Sequence, residues 1–536
     1  VKLGIAFDLG TSGMRAQAIE LESNKVLATA ITERHPLPGA NVMDHLNFAI
    51  EVGLESAHQI IIQTINQVID TLNVDSKQIA RLAVSGNPIQ LSLFEGITIE
   101  DLAYAGKNKK ERLGITPPNR NAKVLSGRDF PRLNVPLETE IFIPPAVKHE
   151  IGADALAMLV KSGLLEKEEV ALAVDYGTNA EMALKIGETI LTASCAAGPA
   201  LEGQHISHGM LAAPGAICNV QQEDGNYRIE VLDEEMVKNK GPLVSFVNKE
   251  IVESGDLKPT GITGTGVISL IYEGLENGFI DLPNLKDITE LQLTSDITFD
   301  QKDLEEAGKA IGAIRAGYIT LAKEAGIEIS DIKIAYMAGA SGTYVDAKKA
   351  QKIGMVPPAV EKICQIGNTS LAMANNIICN PDYLDKLQMI ADQLRTNHCM
   401  LGESQDFKNA YLLELSYWGE GMSWQQCVDF LDYYDLPSFP QVADETEVEQ
   451  RVKHDIVELG ERNLSIISQV GIEKEIQFSE CNGCGVCIEV CPEKALNLQK
   501  SNIITMKMSR CNGVACKRCE QNCPQNVYDY REICLE

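Results

Sequence analysis

Two short stretches near the end of the chain concentrate the residues best suited to redox chemistry. From Cys481 the sequence reads CNGCGVCIEVCP, and from Cys511 it reads CNGVACKRCEQNCP. The first is C-x2-C-x2-C-x3-C-P, and the second is the same pattern with two more residues between its first two cysteines. Thiolates at this spacing ligate 4Fe-4S cubanes: three close cysteines wrap one cluster, and the fourth, before proline, reaches the other. The expected sets are Cys481, Cys484, Cys487 and Cys523 for one cluster and Cys511, Cys516, Cys519 and Cys491 for the second. Zinc knuckles or a disulfide framework are the plainer alternatives. Zinc sites take four ligands in two spaced pairs, which leaves the repeated Cys-Pro unexplained. Residues 476–536 therefore read as a small α+β two-cluster ferredoxin domain whose chemistry is electron transfer.

A second kind of chemistry is written upstream, in a repeated unit. Residues 3–30 read as strand, turn, strand, turn, strand, and the pattern returns from residue 170. DLGTSGMR from Asp8 answers DYGTNAEM from Asp175. At such turns glycine lets the backbone approach a phosphate, and backbone N–H groups supply donors. Gly10, Thr11, Ser12 and Arg15 in the first loop, with Gly177, Thr178 and Asn179 in the second, are candidate phosphate contacts. Asp8 and Asp175 are the candidate catalytic carboxylates, placed to hold Mg²⁺ through its waters. One Asp-x-Gly-Thr turn is common; two on matching meanders are not. This duplication resembles the actin, Hsp70 and sugar-kinase superfamily, in which two ribonuclease-H-like lobes of α/β class clamp ATP between them.

The elements between and after these loops follow from periodicity. A long amphipathic helix is expected near residues 44–72, and a loop-heavy surface at 115–146. Residues 194–217, rich in Gly, Ala and Pro, suggest backbone packed close to a ligand or another lobe; His205 and His208 within them read as hydrogen-bonded loop residues. Gly264, Thr265 and Gly266 precede an apolar-periodic helix whose N-terminus suits an anion or a simple cap. IKIAYMAGASGTYV runs a strand into Gly339, Ala340, Ser341 and Gly342, the position of the adenosine loop in the superfamily, and a helix from Gln365 closes the second lobe. Residues 386–475 lack this texture and read as a mostly helical connecting region. Its aromatic residues, Trp418 and Trp424 among them, suit packing. Residues 1–385 would form the two-lobed ATPase, with phosphate loops at 8–15 and 175–181.

A net charge of -28 over 536 residues argues against a nucleic-acid partner, since phosphate binding needs a basic face. Cys195, Cys218, Cys364, Cys379, Cys399, Cys427 and Cys534 are scattered, so no disulfide scaffold is implied. Free thiols beside cluster ligands suit a reducing cytoplasm. VKLGIAFDLGTSG lacks the apolar run of a signal peptide. No stretch reaches the roughly eighteen uninterrupted apolar residues of a membrane span. A cytoplasmic protein without a membrane partner is expected.

DLGTSGMR, DYGTNAE, SCAAGPALEG, TGTG, MAGASG and IGNTSLA occur in that order. Together they resemble the reductive activators of corrinoid proteins across most of residues 1–385. The C-terminal two-cluster ferredoxin narrows the resemblance to the type that serves methylamine methyltransferases. It implies ATP-dependent reduction of a Co(II) corrinoid protein to the Co(I) state needed for methyl transfer. The cofactors implied are two 4Fe-4S clusters and ATP with Mg. The partners implied are methylamine corrinoid proteins and a low-potential electron donor. The chain departs from the pattern at Ala340 and Ser341, where many superfamily members carry glycine, and in the longer Cys511–Cys516 spacing. Two alternatives stand beside this reading. One is an ATP-driven donor to another low-potential acceptor, such as a 2-hydroxyacyl-CoA dehydratase; the other is a non-hydrolysing electron carrier.

Overall fold

The computed structural model describes residues 2–104, 107–147, 151–177, 179–195, 197, 200, 203 and 205–535. They fall into two units. Val1–Asp154, Met373–Asp392 and Leu459–Glu536 make the first, and Ala155–Ala372 with Gln393–Glu458 make the second.

The first unit is built on the opening meander. Leu3–Leu9, Met14–Glu20 and Lys25–Thr32 pair antiparallel in sequence order. All seven residues of Leu3–Leu9 are buried, as befits a strand covered on both faces. Ile79–Gly86 then returns parallel to it. Glu140–Ile143 and Lys123–Ser126 continue the sheet, so the loop-heavy surface expected at 115–146 also supplies two strands. The single long helix expected near 44–72 is two helices, Val42–Glu51 and Leu54–Thr71. Gly53 separates them at φ 133, a conformation closed to L side chains and outside the helical region.

The second unit repeats the scheme. Ala171–Tyr176, Ala180–Ile186 and Thr189–Cys195 form its meander, and Ile334–Ala338 lies parallel to the first of them, with Lys362–Gly367 beyond. Between meander and crossover the chain inserts a five-stranded sheet over residues 216–262, followed by the helix Gly264–Glu276. The helix Gln301–Ala325 opens on a capping box at Asp300 and Asp303 and ends on Gly326. Two seven-stranded sheets of matching order give the two ribonuclease-H-like lobes.

Residues 386–475 differ from the mostly helical connector expected. They hold the end of Tyr383–Gln393 and the helices Gln405–Gly419 and Trp424–Tyr433, but they also supply strands to both sheets. Arg395–Cys399 pairs with Thr189–Cys195, and Glu447–Gln450 with Lys362–Gly367. Leu464–Ile467 pairs with Lys25–Thr32 in the first unit. Strands of four or five residues have too little pattern to be read alone; pairing with distant edges makes them. The helix expected from Gln365 to close the second lobe begins only at Thr369, because Gln365 lies in the strand Lys362–Gly367; from Met373 the helix Thr369–Cys379 belongs to the first unit. There Arg81 Nη1 donates to the Ile378 carbonyl at 2.9 Å.

The aromatic residues of this region enclose a cation. The Arg315 guanidinium lies 4.4 Å from the Trp424 ring centre, 4.9 Å from Phe439 and 5.5 Å from Tyr417, and its Nε is 3.1 Å from Glu414 Oε1. Burial pushes the Glu414 carboxyl up to about 7 against the pull of Arg315.

The ferredoxin segment has a three-stranded antiparallel sheet, with Ile504–Lys507 between Glu473–Ile476 and Leu496–Leu498. It belongs to the first unit. No helix among the described residues is long and apolar enough to cross a membrane.

Candidate functional site

The cysteines sort as their spacing predicts. One cavity of about 370 Å³ is lined by Cys481, Cys484, Cys487 and Cys523. A second, of about 360 Å³, is lined by Cys491, Cys511, Cys516 and Cys519. Each ring joins three cysteines of one run to the fourth of the other. Among the described residues no three His, Cys, Asp or Glu groups converge as a single metal ion requires. Rings of thiols around a cavity suit a polynuclear cluster better than zinc, and none of the fifteen cysteines is in a disulfide. The residues present therefore fit two cubanes.

The surroundings of the thiols are uneven. Burial pushes the Cys487 and Cys511 thiols up to about 11, so ligation there displaces a proton. At Cys523 burial is outweighed by the backbone N–H groups of Tyr528, Val527, Gln525 and Asn526, and the thiol is lowered. Ala495 N–H donates to Cys491 Sγ at 3.3 Å, and Gly513 N–H to Cys511 Sγ at 3.4 Å. Such donors to sulfur are among the levers that set cluster potential. Cys484 is exposed.

The longer Cys511–Cys516 turn has a visible use. Gly39 N–H donates to the Cys511 carbonyl at 2.8 Å, and a Cβ on Gly513 would lie 3.3 Å from the Pro38 carbonyl oxygen. Lys517 Nζ reaches Glu51 at 2.8 Å. These contacts seat the second cysteine run on residues 38–51 of the same unit. Nothing in the local sequence of residues 36–51 marks them as a seat.

The first phosphate loop is the turn between Leu3–Leu9 and Met14–Glu20. Asp8 and Arg15 face each other in register, with Arg15 Nη1 3.7 Å from the buried Asp8 carboxylate. Arg15 thus sits on Asp8. Asn87 Nδ2 donates to Thr11 Oγ1 at 3.3 Å, and Ser12 is buried. Gly10 makes the turn between the strands.

The second loop turns between Ala171–Tyr176 and Ala180–Ile186 at Gly177 and Asn179; Thr178 lies outside the described residues. Asp175 and Ala338 are neighbours on parallel strands. This brings Gly339 against the aspartate: a Cβ there would lie 2.5 Å from Asp175 Oδ1. Gly339 also has φ 78, so only glycine fits without strain. The helix Gly339–Tyr344 carries Ala340, Ser341 and Gly342 onward from this point. Gln365 Nε2, buried, donates to the carbonyls of Gly342, Thr343 and Val345 at 2.7, 3.1 and 3.0 Å. Gln365 was not foreseen as a support for this loop, because its role depends on the neighbouring strand. The structure thus brings two of the three sequence loops of the second unit together.

The third, Gly264–Gly266, opens the helix Gly264–Glu276. Thr263 caps the helix by accepting from Gly266 N–H at 3.1 Å. Thr265 Oγ1 donates to the Cys218 carbonyl at 3.0 Å, and both threonines are buried. Thr263 therefore caps this helix, and the Thr265 hydroxyl is taken up by packing against the neighbouring strand.

Comparison with known proteins identifies the architecture. Residues 169–428 match the model of the C-terminal domain of RACo, the ASKHA domain. Residues 3–167 match the RACo middle region, and 480–527 a 4Fe-4S dicluster domain. A [Co(II) methylated amine-specific corrinoid protein] reductase of Methanosarcina barkeri is 49% identical over 499 residues, 92% of each chain. The chain belongs to the reductive activators of corrinoid proteins. The corrinoid activation enzyme RamQ of Eubacterium limosum is 29% identical over 390 residues, 66% of this chain and 60% of that one. A solved reductive activator for corrinoid, iron-sulfur protein is 25% identical, with a TM-score of 0.65, over 77% of this activator and 66% of that chain.

Proposed function

We propose that this activator couples ATP with Mg to one-electron reduction of a methylamine-specific Co(II) corrinoid protein, yielding Co(I). The observation that carries the reading is the joining, in one chain, of two cysteine-ringed cavities with a duplicated Asp-x-Gly-Thr hairpin. When bound, two 4Fe-4S clusters supply one-electron transfer, over a range of potentials of about -700 to +450 mV. The eight cysteines hold them, and the backbone N–H groups around Cys523, Cys491 and Cys511 bias their potential.

Reduction to Co(I) lies at very low potential, so a donor alone is a weak drive. A protein helps by changing the acceptor, since loss of an axial cobalt ligand stabilises the reduced metal. Nucleotide-driven conformational change supplies that work. In the second unit Gly177, Asn179 and the chain at Gly339 would offer backbone donors to a phosphate, and Asp175 would hold Mg²⁺ through its waters. In the first unit Gly10, Thr11 and Ser12 offer the same groups beside Asp8, whose charge Arg15 partly balances.

The test is anaerobic visible spectroscopy of a Co(II) methylamine corrinoid protein mixed with this activator and a reductant, with and without Mg-ATP. Growth of the Co(I) band only with ATP is expected. No Co(I) under either condition, with both clusters reducible, refutes the reading. Cys484→Ala should abolish reduction and leave ATP hydrolysis, whereas Asp175→Ala should abolish hydrolysis and with it the ATP-dependent Co(I) band, while leaving both clusters reducible.

A further inference from the structure

The first phosphate loop and the seat of the second cysteine run are joined by a continuous set of buried polar contacts within the first unit. Thr11 accepts from Asn87 Nδ2 at 3.3 Å. Asn87 caps the helix Pro88–Glu95, its Oδ1 accepting from Gln90 N–H at 2.9 Å. The Gln90 side chain, fully buried, then bridges two stacked imidazoles, His35 and His45, whose ring centres are 3.9 Å apart.

The hydrogen bonds fix every proton in this bridge. Leu37 N–H donates to His35 Nδ1 at 3.1 Å, so the His35 proton is on Nε2 and goes to Gln90 Oε1 at 2.9 Å. Gln90 Nε2 donates to His45 Nδ1 at 2.8 Å, which puts the His45 proton on Nε2. Burial keeps both rings neutral: it lowers His35 to about 3 and His45 well below its ordinary value. His45 Nε2 is buried without a hydrogen-bond partner, which carries the desolvation cost of an unpaired polar group. Turning the Gln90 amide over would set its N–H against the His35 Nε2–H, so the two histidines hold the amide in one orientation.

The imidazoles in turn bracket the seat. His35 holds the chain at Leu37, and His45 lies in the helix Val42–Glu51. Gly39 N–H meets the Cys511 carbonyl and Glu51 meets Lys517 between and beyond those anchor points. We propose that Gln90 is a positioning residue which, with His35 and His45, transmits occupancy of the first phosphate loop to residues 36–51 and so to the loop of Cys511 to Lys517. The inference rests on the ATP reading above and adds the route by which nucleotide reaches the cluster-bearing segment.

The experiment is hydrogen–deuterium exchange on the cluster-loaded protein with and without Mg-AMPPNP, with nucleotide binding measured separately by titration calorimetry. In the wild type, nucleotide slows exchange at least threefold in residues 36–51 and 511–517. In Gln90→Leu, nucleotide still binds and the change in both segments is lost. In Glu51→Ala, a half-exposed site, the change in 36–51 persists and that in 511–517 shrinks. Binding without any exchange change in the wild type overturns the inference, as does a full response in Gln90→Leu. Should Gln90→Leu fail to fold, the wild-type and Glu51→Ala results decide alone. Absence of nucleotide binding defeats the ATP reading itself and this inference with it.

Discussion

Gly339→Ala is the sharpest single test of the nucleotide reading. A methyl group at this position would stand 2.5 Å from Asp175 Oδ1, while φ stays at 78. An L residue held in the left-handed region costs roughly 1–2 kcal/mol. Ordinary van der Waals contact begins at 3.4 Å, so the carboxylate or the helix start must yield by about 1 Å. Misplacement of a catalytic group by about 1 Å costs roughly a hundredfold in rate. Steady-state ATP hydrolysis should therefore fall about a hundredfold while the protein remains folded, with a stability loss of about 1–2 kcal/mol by denaturant titration. Ala340→Gly, one residue on and free of that contact, is the control and should retain turnover within a few-fold. Gly339→Ala with wild-type turnover and a native fold would mean that Asp175 does not act on nucleotide.

Three further outcomes follow from buried groups. His35 in the folded protein is lowered to about 3 from 6.5, so the unfolded chain takes up a proton that the folded one refuses. Its contribution is complete above pH 6.5 and lost as pH falls, by about 1.4 kcal/mol per unit; the stacked His45 is lowered in the same direction and adds to the loss, so denaturation at pH 7.5 and 5.5 should show the combined slope and His35→Asn should reduce it without abolishing it. Arg315→Met strands the Glu414 carboxylate and should cost about 3–5 kcal/mol. Arg315→Met with Glu414→Met should recover much of that loss, and a double variant no better than the single would refute the pairing. Gln365→Leu removes the donor from three buried carbonyls and should cost about 1–3 kcal/mol, with weaker nucleotide binding by calorimetry.

The parts legible in the sequence were those written locally. Both meanders could be read because each strand ends on its own glycine turn. The sorting of the eight thiols into two cavities could be read because spacing determines which of them come together. Long-range choices were not legible. Leu464–Ile467 is four residues whose partner strand lies at Lys25–Thr32, and no local pattern names that partner. Gly53 is an isolated glycine in an otherwise helical pattern, where it is often tolerated; only its φ of 133 shows the break. Thr265 looked like a phosphate contact because small residues open a helix in either case. That its hydroxyl donates to the carbonyl of Cys218, on another strand, only folding shows. Gln90 carried no signal either, since its importance lies in two histidines brought to it by folding.

The pairing of Leu464–Ile467 with Lys25–Thr32 also has a consequence for biosynthesis. On the ribosome the edge of the first sheet is made early, and the strand that covers it comes more than four hundred residues later. At about 5–20 residues per second that interval is roughly 20–90 s. Throughout it, Lys25–Thr32 presents open backbone groups, the kind of edge that recruits stray strands. The eight cysteines of the two runs emerge only afterwards. Iron and sulfide are therefore delivered to a segment whose seat is already built, and a nascent chain stalled before residue 464 exposes an adhesive edge with no cluster ligands yet made.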